Sequence, residues 1–435
     1  MGTPDAIVLF WFRRDLRLHD NKALYQALQR GRPVLALFIF DDDILATLPA
    51  GDHRLGFIYK RLGEMDKALR KHGGSLVIRR GRPGQVIRSL LEQYPIEAIY
   101  CNADHEAYGI ERDAKIAAWC KRAGTAFHTS VDHLVMDRDE VLKSDGTPYH
   151  VFTPYSRRWR QVLSREHLRE HDPGQLLALV MEAGEKEFPG LEALGLAAAD
   201  LEAPPLRVDK EVISAYHLHR DYPARQGCTR LGVHLRFGTI SIRHLVKKAL
   251  EWNDTFLNEL IWREFYAMIM WYYPHVVTRA FKPAYDRIEW RRDEEGFLRW
   301  KEGRTGYPMV DAGMRQLAAT GYMHNRLRMI TASFLSKHLL IDWRWGEAWF
   351  ARLLFDYELS SNNGGWQWSA GTGCDAAPYF RIFNPASQQK KFDPQGAFVR
   401  QWLPELDSAR YPAPMVDHGA ARKRCLQVYK EALER

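Results

Sequence analysis

Along the first 130 residues, short unbroken apolar runs alternate with stretches in which apolar residues return every three or four positions. That alternation belongs to a parallel sheet with helical crossovers, because strands buried on both faces lose the in-and-out pattern of a half-exposed strand. Strands are predicted at 6–12, 34–40, 75–79, 98–101 and 126–129, with helices at 21–29, 54–72, 83–94 and 105–122. Leu55, Ile58, Tyr59, Leu62 and Met65 make one buried stripe on the second helix, which Gly73-Gly74 closes. From 131 to about 208 the alternation fades, and 191–205 is rich in Ala, Leu, Glu and Pro without a clear period. Beyond Lys210 helical periodicity dominates. The predicted architecture is an α/β domain with a doubly wound parallel sheet over 1–130, an interdomain connection over 131–208 and an all-helical domain over 209–435.

Composition narrows the classes of function. A net charge of +8 favours a polyanionic partner, nucleic acid first. No run of eighteen apolar residues offers a membrane span, and Met1-Gly2-Thr3-Pro4-Asp5 leads into a strand without the regions of a signal peptide, so the bacterial cytoplasm is the expected location. Cys101, Cys120, Cys228, Cys374 and Cys425 are odd in number and never spaced Cys-x-x-Cys, and the 17 histidines, His217 and His219 included, lack ligand spacing. No disulfide frame or metal site is predicted. The first strand is followed by Arg13-Arg14-Asp15-Leu16-Arg17 where a dinucleotide dehydrogenase would carry Gly-x-Gly-x-x-Gly, which disfavours that class. Eleven of the 14 tryptophans lie beyond residue 250, which places the aromatic chemistry in the helical domain.

Within that domain Ser361-Asn362-Asn363-Gly364-Gly365-Trp366-Gln367-Trp368 reads as an Asn-Asn-Gly-Gly turn followed by two tryptophans. Paired indoles suit a flat ligand, a nucleobase or an isoalloxazine ring, and they equally suit a packed aromatic core. Glu259, Trp262, Arg263 and Tyr266 recur at helical spacing on one face. Such a face could set a carboxyl group beside an indole, where desolvation raises its pKa. The spacing also fits a surface Glu259–Arg263 pair beside a core tryptophan. Asn325 and Met329, four apart on another predicted helix, offer an amide for a base's polar edge and a soft thioether for its apolar side. Arg326 and Arg328 on the same helix suit a phosphate and a carboxylate.

These segments occur in a telling order: Trp11 to Arg17, Asn-Glu-Leu-Ile-Trp-Arg-Glu-Phe-Tyr (258–266), Gly-Tyr-Pro-x-Val-Asp-Ala-x-Met-Arg (306–315), Met-His-Asn-Arg-x-Arg-Met (323–329), Asn-Asn-Gly-Gly-Trp-Gln-Trp (362–368) and the closing 392–406. Over nearly its full length the chain resembles the photolyase/cryptochrome family, and within it the class I cyclobutane pyrimidine dimer photolyases. The resemblance implies FAD, active when reduced, in the helical domain and light-driven electron transfer to a flipped-out pyrimidine dimer and back. It implies a lyase acting as a monomer on UV-damaged DNA.

By the same resemblance, Glu259 hydrogen-bonds the dimer, Trp262 and Trp368 flank it, and Asn325 and Met329 line the pocket. Asn362 faces the flavin's redox-active nitrogen, Arg328 with Asp356 bridges over the ring, and Tyr357 and Glu358 belong to the cofactor set. Trp290, Trp343 and Trp366 match the tryptophan relay to oxidised flavin, with core packing as the plainer role. Tyr216 and Cys228-Thr229-Arg230-Leu231-Gly232 match the family's Thr-Ser-Arg-Leu-Ser phosphate turn. Cysteine and glycine replace two hydroxyls there, so Thr229 and backbone N–H groups carry more of the anion binding. Arg220, Arg326 and Lys390 match DNA-backbone contacts.

An antenna chromophore is implied for the α/β domain. Tyr108-Gly109 replaces the Asn-Glu pair of folate-using members, which favours a deazaflavin over folate, with a second flavin or an empty pocket as the alternatives. The alternative is a cryptochrome-type blue-light receptor, disfavoured by the joint presence of Glu259, Asn325, Met329 and Trp368 and by only about thirty residues after Leu406. A six-four photolyase would carry a histidine pair in 325–329, where only His324 precedes. A non-enzymatic nucleic-acid-binding protein would leave the paired tryptophans and the carboxyl unused.

Overall fold

The computed structural model describes residues 6–184 and 186–434, and the chain packs into two compact units. The first unit takes 1–140, 163–206 and 232–248; the second takes 141–162, 207–231 and 249–435.

In the first unit the five predicted strands form one parallel sheet: β1 Ile7–Phe12, β2 Val34–Asp41, β3 Leu76–Gly81, β4 Ile96–Asn102 and β5 Ala126–Ser130. Their order is β3-β2-β1-β4-β5. Val8 pairs with Val34 and Leu9 with Ile99, so β1 is central and every one of its residues is buried. That burial is why the runs lack alternation in the sequence. Helix α1 (Lys22–Leu28) is capped by Asn21, whose side chain accepts from the Leu24 N–H. Helix α2 (His53–Arg70) follows the Asp52 cap, and Asp66 on it accepts from the Leu76 N–H at 2.9 Å, tying helix to strand. Helix α3 (Pro83–Gln93) opens on proline. Helix α4 (Ala107–Ala123) ends on Gly124 at φ 77°, the left-handed cap that favours glycine.

The segment 232–248 joins this unit through buried charges. Arg243 donates to Asp132 at 2.6 Å and to both oxygens of Asp20, while Arg17 donates to Asp132 at 2.5 Å. Hydrogen bonds and Arg243 outweigh burial and hold the Asp20 carboxyl well below its ordinary value. These partners lie more than a hundred residues apart, beyond the reach of local periodicity.

The second unit is helical. Its frame is α5 (Phe152–Val162), α6 (Asp254–Tyr272), α7 (Pro308–Thr320), α8 (Asn325–Ser333), α9 (Trp343–Leu353), α10 (Leu359–Ala370), α11 (Pro385–Phe392) and α12 (His418–Glu434). Asn253, His324 and Asp342 cap α6, α8 and α9 through side chains that accept backbone N–H groups. The core is rich in methionine and tryptophan, with Trp300, Met309, Met314, Trp343 and Trp366 in one buried cluster. Tyr429 on α12 is fully buried and donates to the Ala370 carbonyl at 2.8 Å, pinning the last helix to the end of α10.

Two buried imidazoles make this unit acid-sensitive. Burial, joined by neighbouring arginines, pushes His324 down to about 4, and burial beside His418 and Arg424 pushes His338 down to about 3. Unfolded histidines take a proton near 6.5, so each contributes stability above that value that is lost as pH falls towards the folded pKa. Each should cost about 1.4 kcal/mol per pH unit below about 6.5. Urea midpoints at pH 7 and pH 5 check this, and His338→Gln should flatten part of the slope.

Candidate functional site

Helix α10 carries the motif read as a turn, and the structure corrects that reading: Asn-Asn-Gly-Gly lies inside the helix. Glycine at 364 is required by packing, since a Cβ there would overlap the Tyr266 ring on α6. Asn363 and Gln367 each donate to the Val276 carbonyl at 2.9 Å, so their amides stitch the helix to its neighbour. Tertiary contact overrides the weak helix propensity of Gly-Gly. A Cβ at Gly365, by contrast, would meet nothing within 4 Å. One side of α10 is thus pressed against α6, and another is bare backbone open to a flat group.

On α10 and its flanks the charged and amide groups are held in pairs. Arg328 on α8 donates to both oxygens of Asp356, at 2.8 and 3.0 Å. Asn362 donates through Nδ2 to the Glu347 side chain at 2.8 Å and to its carbonyl at 3.2 Å. Burial pushes the Glu347 carboxyl above its ordinary value, and the Asn362 bond draws it back in part. Sequence reasoning missed Glu347; its only signal was an acid among Trp343, Trp345 and Trp349 on one helix. Arg263 and Glu358 form a buried two-pronged ion pair at 2.8 and 3.0 Å. Glu358 is therefore bound to Arg263, while Tyr357 packs half-buried on the tryptophan-rich core.

Glu259 on α6 pairs with Arg220. This excludes the surface Glu259–Arg263 pair that the spacing also allowed. Burial raises the Glu259 carboxyl above its ordinary value even though Arg220 pulls the other way. Arg220 also lies over the Tyr216 ring at 5.2 Å, and Arg326 donates to Asp221 at 2.6 Å. Both arginines expected at DNA phosphates are thus held by carboxylates, whereas Lys390 is exposed on α11. Asn325 is exposed at the first turn of α8 and Met329 is half-buried one turn on. Trp262 and Trp368 are half-buried, on α6 and α10 respectively.

In the turn at 228–231, Cys228 Sγ lies 3.4 Å from His324 Nε2. His324 Nδ1 accepts from the Arg326 N–H, which leaves the ring proton on Nε2, facing the sulfur. Burial pushes the thiol up to about 11, so this is a neutral contact and not a reactive thiolate pair. Thr229 is half-buried, Leu231 buried, and Arg230 takes φ 54° with its guanidinium over Tyr322 at 5.0 Å. Gly232 opens the short helix Gly232–Arg236, whose residues count with the first unit.

Trp366 and Trp343 are buried and Trp290 is half-buried, all in or against one apolar cluster. Trp366 meets Trp300 and Phe350 edge-on at 6.0 and 5.0 Å. Gly346 makes room for it, since a Cβ there would overlap its ring. The buried Trp366 indole N–H has no hydrogen-bond partner in the protein. The bare Gly365 face, the Asn362 amide and the Arg328–Asp356 pair suit a planar, heteroatom-rich ligand such as a flavin.

In the first unit, Tyr108 donates to Asp41 at 2.6 Å, and Arg13 and Arg112 lie 4.9 and 4.8 Å from the Trp11 ring. They stand at the carboxyl ends of β1, β2 and β4, where the strand order reverses and open α/β sheets bind ligands. Gly109 is set by packing: a Cβ would press on the Asp104 side chain.

Among the described residues, no group of three His, Cys, Asp or Glu side chains is placed to hold a metal, and no helix is long and apolar enough to cross a membrane.

Residues 8–174 match the family described as DNA photolyase, and residues 256–410 match the FAD binding domain of DNA photolyase. A deoxyribodipyrimidine photo-lyase of Alkalihalophilus pseudofirmus is 37% identical over 481 aligned positions covering 99% of each chain. An archaeal photolyase from Sulfolobus tokodaii, solved with two FAD molecules, is 35% identical with a TM-score of 0.83, over 98% of this chain and 99% of that one. A cryptochrome of Synechocystis superposes at a TM-score of 0.86 with 25% identity, over 98% and 100%.

Proposed function

The chain belongs to the photolyase/cryptochrome family of FAD-binding proteins, and from that premise we propose that it repairs cyclobutane pyrimidine dimers in DNA under light. The observation that carries this reading is the Glu259 carboxyl, raised by burial and gripped by Arg220, one helical turn from the half-buried Trp262 ring. A carboxyl so placed serves a pyrimidine carbonyl or imide better than it serves stability, since surface pairs do that at less desolvation cost. Reduced FAD, when bound, supplies the light-driven electron that opens the cyclobutane ring and takes it back.

The chain's own groups bind, orient and exclude water. Trp262 and Trp368 stack on the flipped dimer, a contact worth about 1–3 kcal/mol per base. Flipping costs least at a damaged, poorly stacked site, which gives selectivity without sequence readout. Asn325 and Met329 line the dimer's pocket. Asn362, its Nδ2 committed to Glu347, has its amide oxygen left to accept, and would offer it to a ring N–H of a bound flavin. Arg328 with Asp356 braces the cofactor, Tyr216 and the 228–231 turn serve its ribityl and phosphate groups, and Tyr357 and Glu358 support that shell. Arg326 can exchange its carboxylate for a phosphate, Arg220 has guanidinium N–H groups left for one while it holds Glu259, and Lys390 needs no exchange. The protein acts as a monomer in the bacterial cytoplasm, and the strand-end surface around Tyr108 and Arg112 takes a deazaflavin antenna.

Trp366, Trp343 and Trp290 run from buried to half-buried, the order a relay from solvent to flavin needs. Trp290→Phe should slow photoreduction of bound oxidised FAD at least tenfold, about the effect of removing one relay step, while sparing repair after chemical reduction. Time-resolved absorbance checks this, and unchanged photoreduction removes Trp290 from the relay.

The cryptochrome superposition supports light sensing as a second reading. Binding in the dark separates the two: a repair enzyme should prefer dimer-containing over intact oligonucleotide by at least about thirtyfold, two stacked bases' worth. Equal affinity for both sinks the repair reading.

A further inference from the structure

Phe152, the first residue of α5, lies face to face with Trp262: the ring centroids are 3.8 Å apart and the planes differ by only 6°. The other aromatic neighbours of Trp262 meet it edge-on or tilted, Phe265 at 83° and Tyr266 at 38°. Phe152 is itself fixed from two sides. Its N–H donates to Asp375 Oδ2 at 2.9 Å, and its ring meets Phe265 edge-on at 5.9 Å. Asp375 itself takes a left-handed backbone conformation at φ 44°.

An indole has two faces, and Phe152 stacks on one of them. We infer that Phe152 is the positioning residue of the lesion site: it backs Trp262 so that the opposite face alone is offered, pre-aligned, to a pyrimidine dimer. This rests on the stacking role given to Trp262 above. An unbacked indole has to be ordered when the base arrives, and that ordering cost comes out of affinity. The prop therefore acts on binding and on discrimination between damaged and intact DNA, not on the chemistry of ring opening. Phe152 touches neither substrate nor cofactor in this scheme; its action passes through Trp262.

The test compares Phe152→Leu, which keeps apolar volume and loses the flat face, with Phe152→Tyr, which keeps the face. FAD content and far-UV circular dichroism report folding for both. Phe152→Leu should raise the KM for dimer-containing oligonucleotide about three- to tenfold, the range of one aromatic pair, with repair at saturating DNA unchanged. Phe152→Tyr should match the wild type. Trp262→Ala in the same assay tests the underlying role and should weaken binding more than either. If Trp262→Ala loses affinity while Phe152→Leu does not, the positioning role is wrong. If Trp262→Ala binds normally, the stacking reading fails and takes the inference with it.

Discussion

Glu259→Ala should lower repair per absorbed photon about ten- to hundredfold, the worth of a hydrogen bond to a charged partner, while FAD stays bound. The structure explains why the loss is large. Its carboxyl is partly buried and fixed in place by Arg220, so it meets an incoming pyrimidine without reorganising. Removing it also frees Arg220, whose remaining carboxylate neighbour, Asp221, already engages Arg326. Glu259→Gln separates the parts: the amide can still donate to a carbonyl, so it should keep more activity than alanine. The pH dependence has a definite sign. Because the folded pKa is raised, lowering the pH protonates Glu259 earlier than an ordinary glutamate and converts it into a donor. Wild-type yield should rise on acidification above the range where the buried histidines titrate, and the Glu259→Gln yield should not follow it. Repair yields under limiting light at several pH values check both. Unchanged yield in Glu259→Ala would remove the residue from the mechanism.

Arg263→Ala carries the largest expected cost in stability. Arg263 and Glu358 are less than a tenth exposed and share two hydrogen bonds, with Ser361 donating to the same carboxylate. Deleting the guanidinium leaves a buried carboxylate without its two charged hydrogen bonds, a loss of about 3–5 kcal/mol. The melting temperature should fall by about 10 °C at roughly 2–4 °C per kcal/mol. Arg263→Lys loses the fork and should fall between the two. Replacing both partners, as Arg263→Met with Glu358→Leu, should recover much of the loss, since an apolar pair carries no stranded charge. Denaturant midpoints for the single and double variants give the coupling directly. A small loss in Arg263→Ala would mean that water reaches Glu358.

How much of this was legible in the residues depended on the range of the contacts. The strands stood out because β1 and β2 are unbroken apolar runs, and the observed ends differ from the predicted ones by one or two positions. Helix α10 was misread because Asn-Asn-Gly-Gly has turn chemistry locally. Its helix is held by Tyr266 and by the Val276 carbonyl, about ninety residues away. The Glu259–Arg263 spacing was real, yet each side chain turned to a remote partner, Arg220 and Glu358. Glu347 and Phe152 were passed over for the same reason: each matters through one neighbour, Asn362 or Trp262, that only folding brings close. The segments 163–206 and 232–248 join the first unit through packing and buried charges such as Arg243 with Asp20 and Asp132, which leave no periodic trace.

The most direct measurement is to illuminate the FAD-loaded, reduced protein with single- and double-stranded DNA containing thymine dimers and follow recovery of thymine absorbance, with a dark control. Recovery in the light and none in the dark is the expected result, with Glu259→Ala recovering far less at equal light. Bound, reduced FAD and dimer-containing DNA that remain unchanged after illumination would contradict it.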